Sequence, residues 1–241
     1  NKNIRNNILK LLEIFRKNYT DEIILNKNNL SEFFALIQPK IKNLVPVTFE
    51  EAIQEESFER FSIENNPIKP IKISQTTINE CYFKNIQFSD IQLLHVDLLD
   101  VIFENCDLSN ISFEGRYLHR VIFKNCRLMG TNFSNTSFNH IQIINCLVNY
   151  GNFSFTTIKE SILKDSSLIE TSFTESTIVK TRFVQCNLTK SEFIHTKMPG
   201  IDFSTCTLNQ LQIDTASLYK IKVNLYQAVD LSKILGLEIV E

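Results

Sequence analysis

Every fifth residue from Ile73 to Val223 is large and apolar, a run of 31 positions with no slip in register. It opens Ile73, Ile78, Phe83, Phe88, Leu93, passes through Phe113, Phe133, Phe153, Phe173 and Phe193, and closes at Ile213, Leu218 and Val223. With 43% hydrophobic residues overall, chance would produce such a run on the order of 10⁻¹¹ of the time. Neither the helical period of 3.6 nor the strand period of 2 accounts for a strict five. A chain that turns a corner every five residues does, with two side chains directed inward and three outward. The second inward column lies two residues earlier (Thr76, Cys81, Val96, Cys106, Thr131, Gly151, Ser166, Ala216), and its members are small or branched apart from Arg116. Between the columns lie mostly polar residues. Periodicity of this kind marks stacked coils, each of which needs neighbours to bury its faces.

The pattern, as in Cys106-Asp107-Leu108-Ser109-Asn110 or Thr131-Asn132-Phe133-Ser134-Asn135, resembles the pentapeptide-repeat family over residues 71–223. The resemblance implies an all-β solenoid, a right-handed quadrilateral β-helix in which four pentapeptides make one square coil, about 7–8 coils in all. Near copies spaced by four pentapeptides agree with it: Ile102-Phe103-Glu104-Asn105-Cys106 and Ile122-Phe123-Lys124-Asn125-Cys126, with a weaker third at Gln142–Cys146. Stacked at strand spacing of about 4.8 Å, the coils make a rod roughly 37 Å long. Phe113 through Phe193 then form one aromatic stack, and Asn85, Asn105, Asn125 and Asn145 a corner ladder able to join side-chain amides between coils.

Three regions are expected. Residues 1–70 lack the five-fold register and read as a helical segment that caps the open end of the solenoid or, alternatively, docks a partner. Its amphipathic stretches are Ile8–Phe15 and Leu30–Leu44, the latter interrupted by Pro39. Thr48-Phe49-Glu50-Glu51 forms a capping box expected to open a third helix through about Phe61, and Pro67 and Pro70 mark the junction. Residues 71–223 are the β-helix. Residues 224–241 read as an amphipathic helix (Leu225, Val229, Leu231, Ile234, Leu235) stopped by Gly236 and followed by a short strand. This tail resembles that of the quinolone-resistance, DNA gyrase-protecting pentapeptide-repeat proteins, where a Tyr-Gln helix ends in Leu-Gly. The resemblance implies a homodimer, with Leu225, Tyr226, Val229, Leu231, Ile234, Leu235, Leu237 and Ile239 at the interface.

No catalytic, cofactor or metal site is expected. Cys81, Cys106, Cys126, Cys146, Cys186 and Cys206 all occupy the inward small-residue column and read as buried hydrophobes. His95, His119, His140 and His195 read as solvated corner residues. Arg116 is expected to escape through a backbone bulge, since an unpaired buried guanidinium is costly. Tyr82, Ile102, Ile122, Ile144, Ile162 and Val184 form an outward apolar strip expected to be exposed on the sheet and to meet either the N-terminal helices folding back or a partner protein.

Net charge is −2, and no apolar run approaches the ~18 residues that a membrane-spanning helix needs. Membrane insertion and export are therefore not expected, and a cytoplasmic location is. Residues 71–223 carry 14 Lys plus Arg against 14 Asp plus Glu. The gyrase-protecting branch implies an acidic rod that imitates duplex DNA inside a type II topoisomerase. A neutral rod is a poor copy of one negative charge per ~1.7 Å of helix axis, and no direct nucleic-acid binding is expected. The functional expectation is a non-enzymatic protein that binds a type II topoisomerase and confers antibiotic resistance or immunity. The alternative is a scaffolding module with an unrelated partner.

Overall fold

In each five residues two side chains point inward from a flat face and three outward, one of the three standing at a corner. The computed structural model describes residues 36–236, and in them this sequence closes into a parallel β-solenoid of about eight turns. The expected helix at Ile8–Phe15 and the final strand with Leu237 and Ile239 lie outside the described residues.

Strands β1 (Val45–Pro46), β2 (Phe61–Ile63), β3 (Ile71–Lys84), β4 (Ile91–Glu104) and β5 (Tyr117–Lys124) pair in parallel in that order. From β2 onward every strand pairing joins residues four pentapeptides apart, as in Tyr82↔Ile102↔Ile122 and Gln142↔Ile162↔Arg182. The four-pentapeptide coil is therefore seen directly. Single bridges such as Asp107↔Arg127↔Leu147 carry the same offset across the shorter faces.

Corners demand an unusual backbone. Apart from Asn43, all non-glycine residues with positive φ stand at multiples of five, from Arg60 to Lys220. They include bulky residues such as Tyr150 (φ 61°) and Phe155 (φ 59°). A non-glycine residue there costs about 1 kcal/mol or more, and the interlocked ladders on either side impose it. This explains why a β protein manages with 5 glycines.

The interior is packed by phenylalanine. One stack runs Phe83–Phe103–Phe123 at 5.1 and 5.2 Å. A second runs Phe113–Phe133–Phe153–Phe173–Phe193 at 5.5, 4.8, 4.9 and 4.7 Å. The small-residue column serves the backbone. The hydroxyls of Thr136, Thr156, Ser176 and Thr196 donate to the carbonyls of Phe113, Phe133, Phe153 and Phe173, each 23 residues earlier. The Cys106, Cys126 and Cys146 thiols make the same bond to Phe83, Phe103 and Phe123. Small polar residues are thus tolerated inside because each finds an acceptor. At one corner Asn105, Asn125 and Asn145 donate through Nδ2 to Oδ1 of the residue one coil below, at 3.2, 3.1 and 2.8 Å.

Four expectations need correction. Parallel pairing begins before residue 71, because Ser62 and Ile63 already pair with Tyr82 and Phe83, and Phe58 and Ile63 are buried in five-fold register. The capping box at Thr48 is present, but helix α1 spans only Phe49–Ala52, and Phe61 is a strand residue. Phe49 packs its ring on Phe83 at 5.9 Å, so this single turn plugs the end of the aromatic interior and needs no further length. Residues 36–44 contain no helix. Pro39 is incompatible with a continuous one, and the segment finds its hydrogen bonds on the solenoid instead. Arg116 causes no bulge: Arg116 N donates to Phe113 O, Ser137 N donates to Arg116 O, and the guanidinium folds back onto Glu114 O.

Candidate functional site: the outer ladders and the C-terminal helix

With the interior filled by side chains, anything the protein binds meets its outer columns or its ends. At the C-terminal end, Asn224 caps helix α2 (Leu225–Ser232) through a reciprocal bond pair with Gln227. The Gln227 side chain is buried and its Nε2 donates to Phe203 O and Cys206 O, at 2.9 and 2.7 Å. One glutamine thereby sets both the start of the helix and its seat on the last coil. A one-turn 3-10 helix, Lys233–Leu235, follows and ends at Gly236 in the left-handed region (φ 74°), as the sequence predicts.

Gln227 and Leu231 face the solenoid, and Leu231 packs partly buried against the core. The opposite side is open. Leu225 is 76% exposed and Tyr226 84%, with Val229, Ile234 and Leu235 exposed beside them. Between α2 and the last coil lies a groove of about 530 Å³ lined by Leu208, Leu211, Leu231 and Ile234 among others. Apolar side chains left in water beside an apolar groove are the usual mark of an interaction surface.

The outward strip is in register as expected but is less open. Tyr82, Ile102 and Ile122 stack one above another, while Ile144 and Val184 belong to the neighbouring column two residues on. All but one are half-buried, and Ile162 is fully buried. Tyr82 Oη donates to Glu104 Oε2 at 2.6 Å, so its polar end is engaged. Sequence reasoning did not single out Leu147, Tyr150 and Phe155, which are exposed. Their signal was apolar residues at outward and corner positions.

Outward charges are arranged in a consistent order. Asp100 pairs with Arg120, Glu104 with Lys124, Asp107 with Arg127, Glu160 with Lys180 and Glu170 with Lys190. In each pair the base lies one coil beyond the acid. Exposed pairs of this kind contribute little to stability, but they cancel the field of the acids locally.

One pair is not exposed. Asp100 is buried, Arg120 nearly so, and the guanidinium grips the carboxylate through Nε and Nη2. Lys40 N–H donates to the same carboxylate at 2.7 Å, and Gln142 Nε2 donates to Gln38 Oε1 at 2.7 Å. Val45 N–H then donates to Arg60 O. Residues 38–45 thus form a strap along this corner, stepping from Gln142 past Asp100 to Arg60. Burial alone would raise the Asp100 pKa, but the hydrogen bonds from Arg120 and Lys40 outweigh it and hold the carboxyl below its usual range.

The histidine expectation is corrected in the same place. His140 is 6% exposed, not solvated, and its ring meets His119 edge to face at 5.7 Å. His119 in turn stacks on Tyr117. The strap and the tight coil stacking bury a corner that the repeat alone would leave in water.

All six cysteines are buried free thiols. Burial pushes the Cys81 thiol up to about 12, which leaves it protonated and unreactive at neutral pH. Among the described residues no helix is long and apolar enough to cross a membrane.

Residues 96–173 match the family model for a pentapeptide repeat region, and residues 166–204 that for pentapeptide repeats. No curated protein sequence matches the chain. Among solved structures it is similar to a trypsin-treated form of QnrB1, described as a plasmid-mediated fluoroquinolone resistance protein. That match has 22% identity and TM-score 0.47, covering 76% of this chain and 94% of QnrB1. Full-length QnrB1 matches at 20% identity and TM-score 0.39, over 74% and 89% of the two chains. A third similarity is to HetL of the cyanobacterium Nostoc sp., a pentapeptide repeat protein involved in heterocyst differentiation regulation. Identity there is 10% and the TM-score 0.38, covering 69% of this chain and 86% of HetL. With its unbroken five-residue register, its four-pentapeptide coils and the family models matched from residue 96 to 204, the chain carries a pentapeptide-repeat region.

Proposed function

We propose that this protein is a non-enzymatic, protein-binding rod that pairs with a second copy of itself through the C-terminal helix. The observation that carries the reading is the open apolar side of α2, where Leu225 and Tyr226 are 76% and 84% exposed beside the groove at Leu208 and Leu211. A twofold contact would set this surface against its own copy, using Val229, Ile234 and Leu235 and extending to Leu237 and Ile239. Leu231 serves the intramolecular seat. Sedimentation equilibrium of the full chain is expected to give a dimer, and Leu225→Lys with Tyr226→Lys a folded monomer. A parent chain that is monomeric at tens of micromolar sinks the proposal.

The partner reading that the tail supports is a type II topoisomerase, with resistance to a gyrase inhibitor as the outcome. Supercoiling by gyrase is measured with and without a fluoroquinolone while the protein is titrated. Absence of both protection and inhibition at micromolar protein refutes this reading.

Scaffolding of an unrelated protein is the second reading, favoured by the acid–base pairs between coils. A rod in which bases equal acids, with Asp100, Glu104, Asp107, Glu160 and Glu170 each met by a base one coil away, lacks the continuous negative field of duplex DNA. On that reading Ile102→Lys with Ile122→Lys abolishes partner capture without melting the rod.

A further inference from the structure

Beneath the strap, His119 and His140 form a polar pair with an unusual deficit: both Nδ1 atoms are buried, and neither has a hydrogen-bond partner among the described residues. A neutral imidazole tolerates this, because one ring nitrogen needs no donor hydrogen. A protonated ring does not. It carries a hydrogen on both nitrogens, so Nδ1–H would be a buried donor with no acceptor, a costly arrangement.

The surrounding charges do not offset this. Arg120 and Lys40 are cations beside His119, and His140 is its ring neighbour. The nearby carboxylates are already engaged: Asp100 by Arg120 and Lys40 N–H, and Glu160 by Lys180, with His140 Nε2 3.2 Å from its second oxygen. Tyr117 stacks its ring on His119. Burial first, then Arg120 and His140, hold His119 below the usual imidazole range.

We propose that the strap at residues 38–45 is a proton-operated latch, closed over the neutral His119 ring where it meets His140 and released when His119 is protonated. Among the described residues the strap is held at its far end by two side-chain-mediated contacts, Lys40 to Asp100 and Gln38 to Gln142. Both lie beside the histidines. Opening the strap gives a charged imidazole water, while the phenylalanine interior of the rod stays closed. The sign follows from linkage. The latched state binds the proton on His119 less well than a solvated imidazole does, so acidification below about pH 6.5 favours release. For one proton the shift approaches tenfold per pH unit until the latched-state pKa is reached.

The test uses the full chain with Ile37→Cys carrying a nitroxide. Ile37 is exposed and all six native thiols are buried, so the label reports on the strap. Between pH 7.5 and 5.5 the mobile fraction in the electron paramagnetic resonance spectrum is expected to rise at least fivefold. The far-ultraviolet circular dichroism of the rod should not change. In His119→Gln the rise should be largely lost. A flat response in the parent, or an undiminished one in His119→Gln, overturns the proposal. Should that variant fail to fold, NMR titration of the His119 ring in the unaltered chain decides, and a pKa at or above about 6.5, the ordinary imidazole value, overturns the proposal equally.

Discussion

Phe153 and Phe155 are the same residue type two positions apart, and the fold assigns them opposite costs on truncation to alanine. Phe153 is fully buried, stacked on Phe133 at 4.8 Å and Phe173 at 4.9 Å, with Phe138 edge-on at 5.7 Å. Phe155 is 53% exposed at a corner. A buried Phe→Ala change costs about 3–5 kcal/mol. Three ring pairs at about 0.5–1.5 kcal/mol each, partly counted in that figure, place Phe153→Ala at the upper end, near 5 kcal/mol. That is a large share of the ~5–15 kcal/mol that holds a domain. Phe155→Ala should change stability by no more than about 0.5 kcal/mol. Coils touch only their neighbours, so the loss should also be local. Urea denaturation reads the total, and hydrogen exchange by mass spectrometry reads the place. Protection should fall first over residues 133–173 and last near Phe83. The reasoning is refuted if Phe153→Ala costs less than about 1.5 kcal/mol, half the lower bound for a buried phenylalanine. Comparable costs at the two sites, or a uniform loss of protection, would refute it equally.

The asparagine ladder stops at Asp165, which stands one coil above Asn145 and has no amide to donate to its Oδ1. Asp165→Asn gives up a long, partly exposed ion pair with Lys164 at 3.5 Å, which weighs little at that separation. It should therefore raise the stability read from urea denaturation by up to about 1 kcal/mol, whereas Asn125→Asp, inside the ladder, should lower it by a similar amount. Gln227→Ala removes the donor to Phe203 O and Cys206 O together with half of the capping box. It should cost about 1–3 kcal/mol and speed hydrogen exchange over residues 225–236 while sparing the coils. The Asp100 carboxyl lies below its ordinary range when folded, so its contribution is present above about pH 3.9 and is lost as pH falls through the lower folded value. Between pH 5 and 2.5 the stability of Asp100→Asn should fall less than that of the parent, as followed by thermal denaturation.

Much of the rod was legible because inward positions obey one rule at short range. Along the large apolar column burial recurs every five residues, and the corners keep the same spacing, so Phe153, every cysteine and the Asn85–Asn145 ladder could be placed from spacing alone. The solenoid's beginning was harder to read. Phe58, Ile63 and Ile68 keep the apolar register, but Pro67 and Pro70 flank Ile68 and read as a junction, and in the structure Ile68 is exposed. The helix after Thr48 had a correct start and an invisible end, since a cap is a local signal and the length of α1 is decided by where Phe49 meets Phe83 and Phe88.

The surface divides the same way. The tail was legible, because Leu225 to Gly236 is a local amphipathic pattern with its own stop, and the helix formed where spacing put it. The cluster under the strap was not. Lys40 reaches Asp100 across 60 residues of sequence, and Gln38 reaches Gln142 across 104. No periodicity of the repeat links those positions, because residues 38–45 lie outside it. By itself the sequence determined the inside of this protein, because burial there repeats with the chain. Only the tertiary structure decided which outward groups are covered, since that depends on a segment outside the repeat lying down upon it.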